Sequence, residues 1–184
     1  MRILCVDGAY FAASFRALGH QTLVIGAHPF VDVRLDRPLS LRGLMELLAA
    51  RGFAPDAVVW ADTCQQPTVA GLETLPWPSL AYSIDQYMNP WHVAFSAGFD
   101  TALVAQKDYL PLFASEHPRT ARWLPLFCDP SRDADPGQPR DIPVAFVGTV
   151  GAGSNPERKP FLDAVRRACP LFVTSGDYRP VFGR

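Results

Sequence analysis

One short segment of the sequence, SIDQYMNPWH, which begins at Ser83, combines a carboxylate, an imidazole and two aromatic rings. Asp85 and His92 are residue types that act as general acid and base when they lie within hydrogen-bond reach of a reacting group. Tyr87 and Trp91 would shape an apolar cleft beside them, a typical composition for a small-molecule site. Alternatively, the segment is a loop anchored to the core by its aromatic rings, with His92 at the start of a helix.

Other polar residues follow apolar runs elsewhere in the chain. Asp7 follows one such run, Asp62 ends the run AVVWAD, and Lys107 comes directly after TALVAQ. Both acids can equally form turns or cap the next helix, and Lys107 can simply open a helix. The functional interpretation places these side chains at a ligand site together with Ser83.

A glycine-rich loop, GTVGAGSNPERK, lies between a predicted strand and a predicted helix. Gly148, Gly151 and Gly153 would let backbone N–H groups approach a phosphate, and Arg158 would neutralise its charge. The loop matches neither a P-loop nor the strict dinucleotide-binding pattern. A flexible strand-to-helix connection with a solvated basic pair is the alternative.

The elements that would position these residues alternate between apolar strands and helices. This alternation predicts an α/β, Rossmann-like fold in which helices cover both faces of a parallel sheet. The carboxyl ends of its strands would then gather Asp7, Asp62, Ser83, Asp85 and Lys107 along one edge. The predicted strands cover residues 2–6, 22–25, 57–62, 79–83, 101–106 and 123–127, and the predicted helices cover 9–18, 41–50 with Ser40 as its cap, 68–74, 91–97 and 107–115.

The composition changes after residue 127, where a polar stretch rich in proline and aspartate begins. It predicts a first Rossmann-like domain at residues 1–130, a linker at 131–141 and the start of a second domain at 142–184. The second part contains one strand–helix–strand unit. Because one such unit cannot cover both faces of its strands, it either joins the first sheet or begins a second domain that is incomplete here.

Charge and composition exclude several classes of protein. The formal net charge is −1 and no lysine or arginine run occurs, so nucleic-acid binding is not expected. No apolar stretch approaches the length of a bilayer span, which predicts a cytoplasmic protein without a transmembrane segment. The four cysteines are widely spaced, so we expect neither a disulfide nor a metal site.

Several motifs occur in a characteristic order between residues 82 and 165. They are YSIDQYMNPWH, VAQKDY, WLPLFCDP, AFVG and NPER. This series resembles the CgeB-like glycosyltransferases, a family named after a spore maturation protein. The match is weaker over residues 1–81.

The resemblance implies a GT-B architecture, in which two Rossmann-like domains face each other across a cleft. The first domain would bind an unknown acceptor, on the side that carries Asp7, Asp85 and His92, one of which would act as general base. The second would bind a nucleotide-sugar donor as substrate, with its phosphates at the loop containing Gly148 and Arg158, and no bound cofactor or metal. Because the chain ends at Arg184, we expect it to hold mainly the acceptor-side half and to be inactive alone.

Two other functions fit the same pattern. In a phosphoreceiver, Asp62 would accept a phosphoryl group, Asp7 would help to hold Mg²⁺ and Lys107 would pair with the phosphate. The single acid after the first strand and the additional strand–helix–strand unit oppose this interpretation. The other alternative is a non-catalytic ligand-binding remnant of the same fold.

Overall fold

The computed structural model describes residues 1–116, 120–128, 133–135, 137, 139–148, 150 and 156–174. The chain forms two compact units, residues 1–132 and residues 133–184. The first unit contains a seven-stranded sheet and the second contains a two-stranded sheet.

Every neighbouring pair of strands in the large sheet is parallel, which confirms the predicted α/β fold. The strands are β1 Arg2–Asp7, β2 Gln21–Gly26, β3 Val33–Arg34, β4 Ala57–Ala61, β5 Ser79–Ser83, β6 Thr101–Val104 and β7 Ala121–Trp123. Their order is β3-β2-β1-β4-β5-β6-β7. The strand order therefore reverses its direction between β1 and β4, and ligands of open α/β sheets bind at such a switch point, outside the carboxyl ends of the strands.

Helices connect most of these strands. The first unit contains α1 Ala12–Ala17, α2 Leu41–Ala50, α3 Trp91–Ser96, α4 Leu110–Glu116 and 3₁₀ turns at Leu72–Thr74 and Lys107–Tyr109. α2 has the predicted bounds because the Ser40 hydroxyl accepts the Gly43 N–H at 3.3 Å and so caps the first turn. α1 is shorter than predicted, since the chain turns at Asp7 and the Gly8 N–H is held by the Val6 and Ala61 carbonyls at 3.0 and 2.9 Å.

Three other elements differ from the prediction. The short edge strand β3 was not predicted, and β7 begins earlier than the predicted strand 123–127, which Pro125 interrupts. The helix predicted at residues 68–74 is mostly a loop. The Leu39 N–H donates to the Thr68 carbonyl at 2.8 Å and the Ala70 N–H donates to the Leu39 carbonyl at 3.1 Å, so this backbone pairs with Leu39 instead of forming a helix.

The core lies on both faces of the large sheet. On one face, Leu4, Val6 and Trp60 pack with Leu44 and Leu48 of α2. On the opposite face, Ile3, Cys5, Val24 and Val59 pack with the start of α1. The side chains of the central strands are therefore buried whichever way they point, as parallel sheets covered on both faces require.

The second unit contains β8 Ala145–Val147, α5 Arg158–Ala168 and β9 Phe172–Thr174, with β8 and β9 parallel. This is the predicted strand–helix–strand unit. Most of the glycine-rich loop between β8 and α5, including Gly151 and Gly153, lies outside the described residues.

No helix within the described ranges is long and apolar enough to span a membrane.

Gly8 is required by the close approach of β1 and β4. A Cβ at this position would lie 2.7 Å from the Ala61 Cβ and 2.9 Å from the Ala61 carbonyl oxygen. We expect Gly8→Ala to lower the free energy of unfolding by about 1–3 kcal/mol, because the two strands must separate. Urea denaturation followed by circular dichroism would measure this change.

Gly43→Ala in α2 is the matched control, because the nearest atom to its added Cβ is at an ordinary distance of 3.5 Å. We expect this control to raise stability by about 0.5–1 kcal/mol through helix propensity. Similar effects of the two substitutions would contradict the proposed strand contact.

Candidate functional site

The polar residues at the ends of β1, β4 and β5 lie at one edge of the sheet. Asp7 is paired in register with Ala61, and Ala61 with Tyr82. The Asp62 N–H donates to the Tyr82 carbonyl at 3.0 Å. Asp7, Asp62 and Ser83 therefore stand side by side at the switch point, as the sequence predicts for the carboxyl ends of parallel strands.

Asp7 is a buried anchor at this edge. Its carboxylate accepts hydrogen bonds from Trp60 Nε1 at 2.9 Å, from the Thr68 N–H at 3.2 Å and from the Thr68 hydroxyl. Burial raises the pKa of Asp7, and the hydrogen bonds from Thr68 and Trp60 and the charge of His28 oppose that rise. Predicted to line a cleft, Asp7 is instead only 5% exposed, and it fixes the loop after β4.

A second buried network at this edge joins His92 to Ser83 and to Asp62. His92 Nδ1 lies 3.0 Å from Ser83 Oγ, and His92 Nε2 lies 3.4 Å from Asp62 Oδ1. The contact between His92 Nε2 and Asp62 Oδ1 is not a hydrogen bond by its geometry. Ser83 and His92 have no exposed surface and Asp62 is 1% exposed. Neither Ser83 nor His92 lines a cleft as the sequence predicts, and both instead attach α3 to the sheet beneath Asp62.

Above this layer, Asp85 and Cys64 reach the surface. Asp85 Oδ1 accepts a hydrogen bond from Gln106 Nε2 at 3.1 Å, and the Cys64 thiol lies 3.8 Å from Asp85 Oδ2. The Cys64 N–H donates to Asp62 Oδ1 at 2.7 Å. We call Tyr10, Asp62, Cys64 and Asp85 the switch-point cluster.

The electrostatic field of the cluster is negative. The pKa of Tyr10 is raised by burial and then by the charges of Asp62, Cys64 and Asp85. The pKa of Cys64 is raised by burial, by the charges of Asp62 and Asp85, and by the hydrogen bond to Asp85. Among the described residues, no ion pair involves Asp85. Asp85 therefore presents its negative charge to a ligand without an ionic partner in the described part of the chain.

Backbone strain is concentrated at the same edge. In the described part of the chain, the non-glycine residues with positive φ are Asp7 at 66°, Cys64 at 58° and Asp85 at 54°. A left-handed conformation costs a non-glycine residue about 1–3 kcal/mol and persists only where the surrounding structure enforces it, and such residues cluster at functional sites. All three residues follow or end neighbouring strands of the switch point.

Several buried polar atoms at this edge have no hydrogen-bond partner within the described ranges. They include Asp62 Oδ2, both amide atoms of Gln86, and Gln106 Oε1. A buried polar atom costs about 1–3 kcal/mol unless a protein group, a water or a ligand satisfies it. The free oxygen of Asp62 belongs to the switch-point cluster itself.

The remaining predicted residues of the first unit lie away from the cluster or make other contacts. Trp91 packs on Trp60 and Phe95, with ring centroids 6.0 and 5.6 Å apart, and so extends the core. Tyr87 is 57% exposed. The Lys107 ammonium lies 5.1 Å from the centroid of the Trp123 ring, which places its charge toward the edge strand β7.

Two predicted donor-side residues are described in the second unit. The Gly148 N–H donates to the Thr174 carbonyl at 3.3 Å and continues the pairing of β8 with β9. The Arg158 guanidinium lies 5.7 Å from the centroid of the Phe146 ring. Their role in phosphate binding remains a prediction from the sequence.

The cluster contains residues that sequence reasoning missed. Tyr10 lies three positions after Asp7, and Cys64 lies two positions after Asp62. The only sequence feature that could have identified these two residues is their position shortly after a strand. Neither tyrosine nor cysteine indicates a binding site by itself. In the described part of the chain, no group of three histidine, cysteine or acidic side chains could hold a metal ion.

The chain matches no protein-family model, no curated protein and no solved structure.

The hydroxyl of Thr68 should be important for stability, because it satisfies the buried Asp7 carboxylate. We expect Thr68→Val to lower the free energy of unfolding by about 1–3 kcal/mol, the cost of leaving a buried acceptor unpaired. Thr74→Val is the control, since the Thr74 hydroxyl donates to the Gly71 carbonyl in an exposed turn. Its expected effect is within about 0.5 kcal/mol. Equal decreases in the free energy of unfolding of the two variants, measured by urea denaturation, would contradict this role of the Thr68 hydroxyl.

Cys64 reports the charge of the cluster through its pKa. Asp85→Asn removes one of the charges that raise this pKa, so the pKa should fall and the thiolate fraction at pH 8 should rise. We expect faster alkylation of Cys64 by iodoacetamide in the variant, with the pH–rate curve displaced to lower pH. Peptide mass spectrometry would follow Cys64 separately from the other cysteines. An unchanged curve would mean that Asp85 does not act on the thiol.

Proposed function

We propose that this chain is the acceptor-side part of a GT-B glycosyltransferase and that the switch-point cluster binds the acceptor. The ordered motifs between residues 82 and 165 support this assignment through their resemblance to the CgeB-like family. The parallel sheet supports it independently, because its switch point coincides with a strained and polar edge. The proposed reaction takes place in the cytoplasm, with a nucleotide-sugar as the donor substrate.

The observation that carries the proposal is the environment of Asp85. Of the three acids at the edge, Asp7 and Asp62 are buried, whereas Asp85 is partly exposed. Gln106 holds one oxygen of Asp85, and the exposed Cys64 thiol lies beside the other. Asp85 therefore combines a fixed orientation with access to a ligand, as a general base requires.

In the proposed reaction, Asp85 accepts the proton of an acceptor hydroxyl as that oxygen attacks the anomeric carbon of the donor sugar. The bond from that carbon to the diphosphate breaks, and the nucleoside diphosphate leaves with the bonding electrons. His92 acts as a positioning residue in this scheme, because its ring is buried between Ser83 and Asp62 and does not reach a substrate. The donor phosphates are proposed to bind at the loop containing Gly148 and Arg158.

The phosphoreceiver alternative has less support. Its phosphoacceptor would be Asp62, which is 1% exposed, and phosphoryl transfer needs in-line access to the carboxylate. Lys107, the proposed phosphate partner, has its ammonium over the Trp123 ring. A non-catalytic binding remnant would use the same cluster without turnover, and a turnover assay separates it from the transferase.

Asp85→Asn tests the proposed general base in the complete transferase of which this chain is proposed to be the acceptor-side part. We expect the variant to release nucleoside diphosphate about 100- to 10,000-fold more slowly, because the amide cannot accept the proton. The melting temperature should change little, since the amide can still contact Gln106 and Cys64. The assay couples nucleoside diphosphate release to a spectroscopic signal for a panel of nucleotide sugars and pooled glycan acceptors.

Asp36→Asn is the matched control for this experiment. Asp36 is exposed beyond the edge strand β3, four strands from β5 and therefore roughly 19 Å away across the sheet. We expect it to retain the wild-type rate. A parallel loss of melting temperature and activity in Asp85→Asn would instead indicate a structural role. No release with any donor would favour a binding module.

A further inference from the structure

The switch-point cluster presents hydrogen-bond acceptors to a ligand. An ionised carboxylate only accepts hydrogen bonds, so the partly exposed Asp85 requires a ligand that donates. Asp62 is almost wholly buried, yet its charge acts on both the Tyr10 hydroxyl and the Cys64 thiol. Hydroxyl and ammonium groups donate hydrogen bonds, whereas a phosphate dianion accepts them.

The basic side chains near the cluster do not reverse its preference for a hydrogen-bond donor over a phosphate. Lys107 directs its ammonium over Trp123, and Arg16 forms an ion pair with Asp32 at 2.8 Å. His28 exerts its charge on the buried Asp7. A phosphate placed beside Asp85 would therefore meet like charge at close range, which discriminates strongly between ligands that are otherwise similar.

Tyr10 adds an apolar surface to this acidic edge. Its side chain is 47% exposed, and its ring packs edge-to-face on Tyr82 with centroids 6.4 Å apart. A rigid ring beside hydrogen-bond acceptors suits a ligand with an apolar face and several hydroxyl groups, as a sugar ring has.

We infer that the switch-point cluster selects a sugar acceptor without a phosphate group, either neutral or amino-substituted, and that Asp85 is the specificity-determining charge. This inference rests on the proposed function, because it names the acceptor class of that same site. It distinguishes a glycan or amino-sugar acceptor from a sugar phosphate or a lipid-linked diphosphate bound with its phosphates at Asp85.

Cys64 allows a direct measurement, because its exposed thiol is part of the cluster. The full-length protein is treated with methanethiosulfonates carrying either a trimethylammonium or a sulfonate group. In each reaction the Cys64 thiolate attacks the sulfur, a mixed disulfide forms and methanesulfinate leaves. Rates are read by peptide mass spectrometry and divided by the rates of a small neutral thiol, which removes the intrinsic difference between the reagents.

The inference predicts that the cationic reagent reacts at least about tenfold faster than the anionic one after this normalisation, as expected for one or two nearby charges. Asp85→Asn should reduce the preference several-fold, and Asp36→Asn should leave it unchanged. Methyl glucoside and glucosamine should protect Cys64 from a neutral methanethiosulfonate, whereas glucose 6-phosphate should protect it at least about tenfold less effectively.

Equal normalised rates for the two charged reagents would overturn the inference, as would equal protection by glucose 6-phosphate. Protection by none of the three probes would overturn the assignment of a sugar to the cluster. If nucleoside diphosphate release still depends on Asp85 in these cases, the proposed transferase function stands and only the acceptor class is wrong. An absence of release with every donor would remove the proposed function instead.

Discussion

The buried carboxylate of Asp7 is the interaction on which the edge of the sheet depends. It ends β1 in a left-handed conformation and accepts hydrogen bonds from Trp60 on β4 and from Thr68 in the loop beyond it. A buried carboxylate is costly unless its oxygens are satisfied, so the loop is stabilised in the one position where Thr68 reaches Asp7. This contact fixes the far end of the loop that begins at Asp62 and carries Cys64, while the pairing of β4 with β5 places Asp62 itself. The site is therefore held together by a residue that has almost no contact with solvent.

The acids of the switch point have different roles because they lie at different depths. Asp7 fixes the loop, and Asp62 accepts the Cys64 N–H while contacting His92 beneath it. Only Asp85 combines a defined orientation with an accessible oxygen. The buried charge of Asp62 nevertheless matters for a ligand, because a charge in a poorly solvated environment is weakly screened, and it already raises the pKa of Tyr10 and of Cys64. The carboxylate that meets a ligand, Asp85, is therefore distinct from the buried carboxylates that hold the surrounding loop in place and contribute to the electrostatic field.

The sequence predicted the strand–helix alternation, the parallel sheet and the edge at which polar residues gather. α2 was predicted with its correct bounds because Ser40 and a regular apolar stripe mark a helix start and one buried face. The sequence did not predict which side chains of the segment after β5 point outward. The left-handed backbone at Asp85 changes the chain direction, after which Gln86 and His92 return to the interior. Spacing along the chain does not encode such a reversal, and an aspartate signals a left-handed residue much less clearly than a glycine does. Tyr10 and Cys64 were missed for a related reason, since their role arises from neighbours on other strands.

The strand order alone would suggest a nucleotide site, because dinucleotide-binding sheets with this order bind a pyrophosphate at the same switch point. Those sheets use a glycine-rich turn after the first strand and the N-terminus of a helix to attract the anion. Here the turn after β1 contains Asp7 and a single glycine, and the six-residue α1 begins only at Ala12 without a side-chain cap. The turn and helix N-terminus that attract an anion in those sheets are thus replaced here by carboxylates, which repel an anion. In this protein the fold determines where a ligand can bind, while the side chains at the strand ends determine its charge.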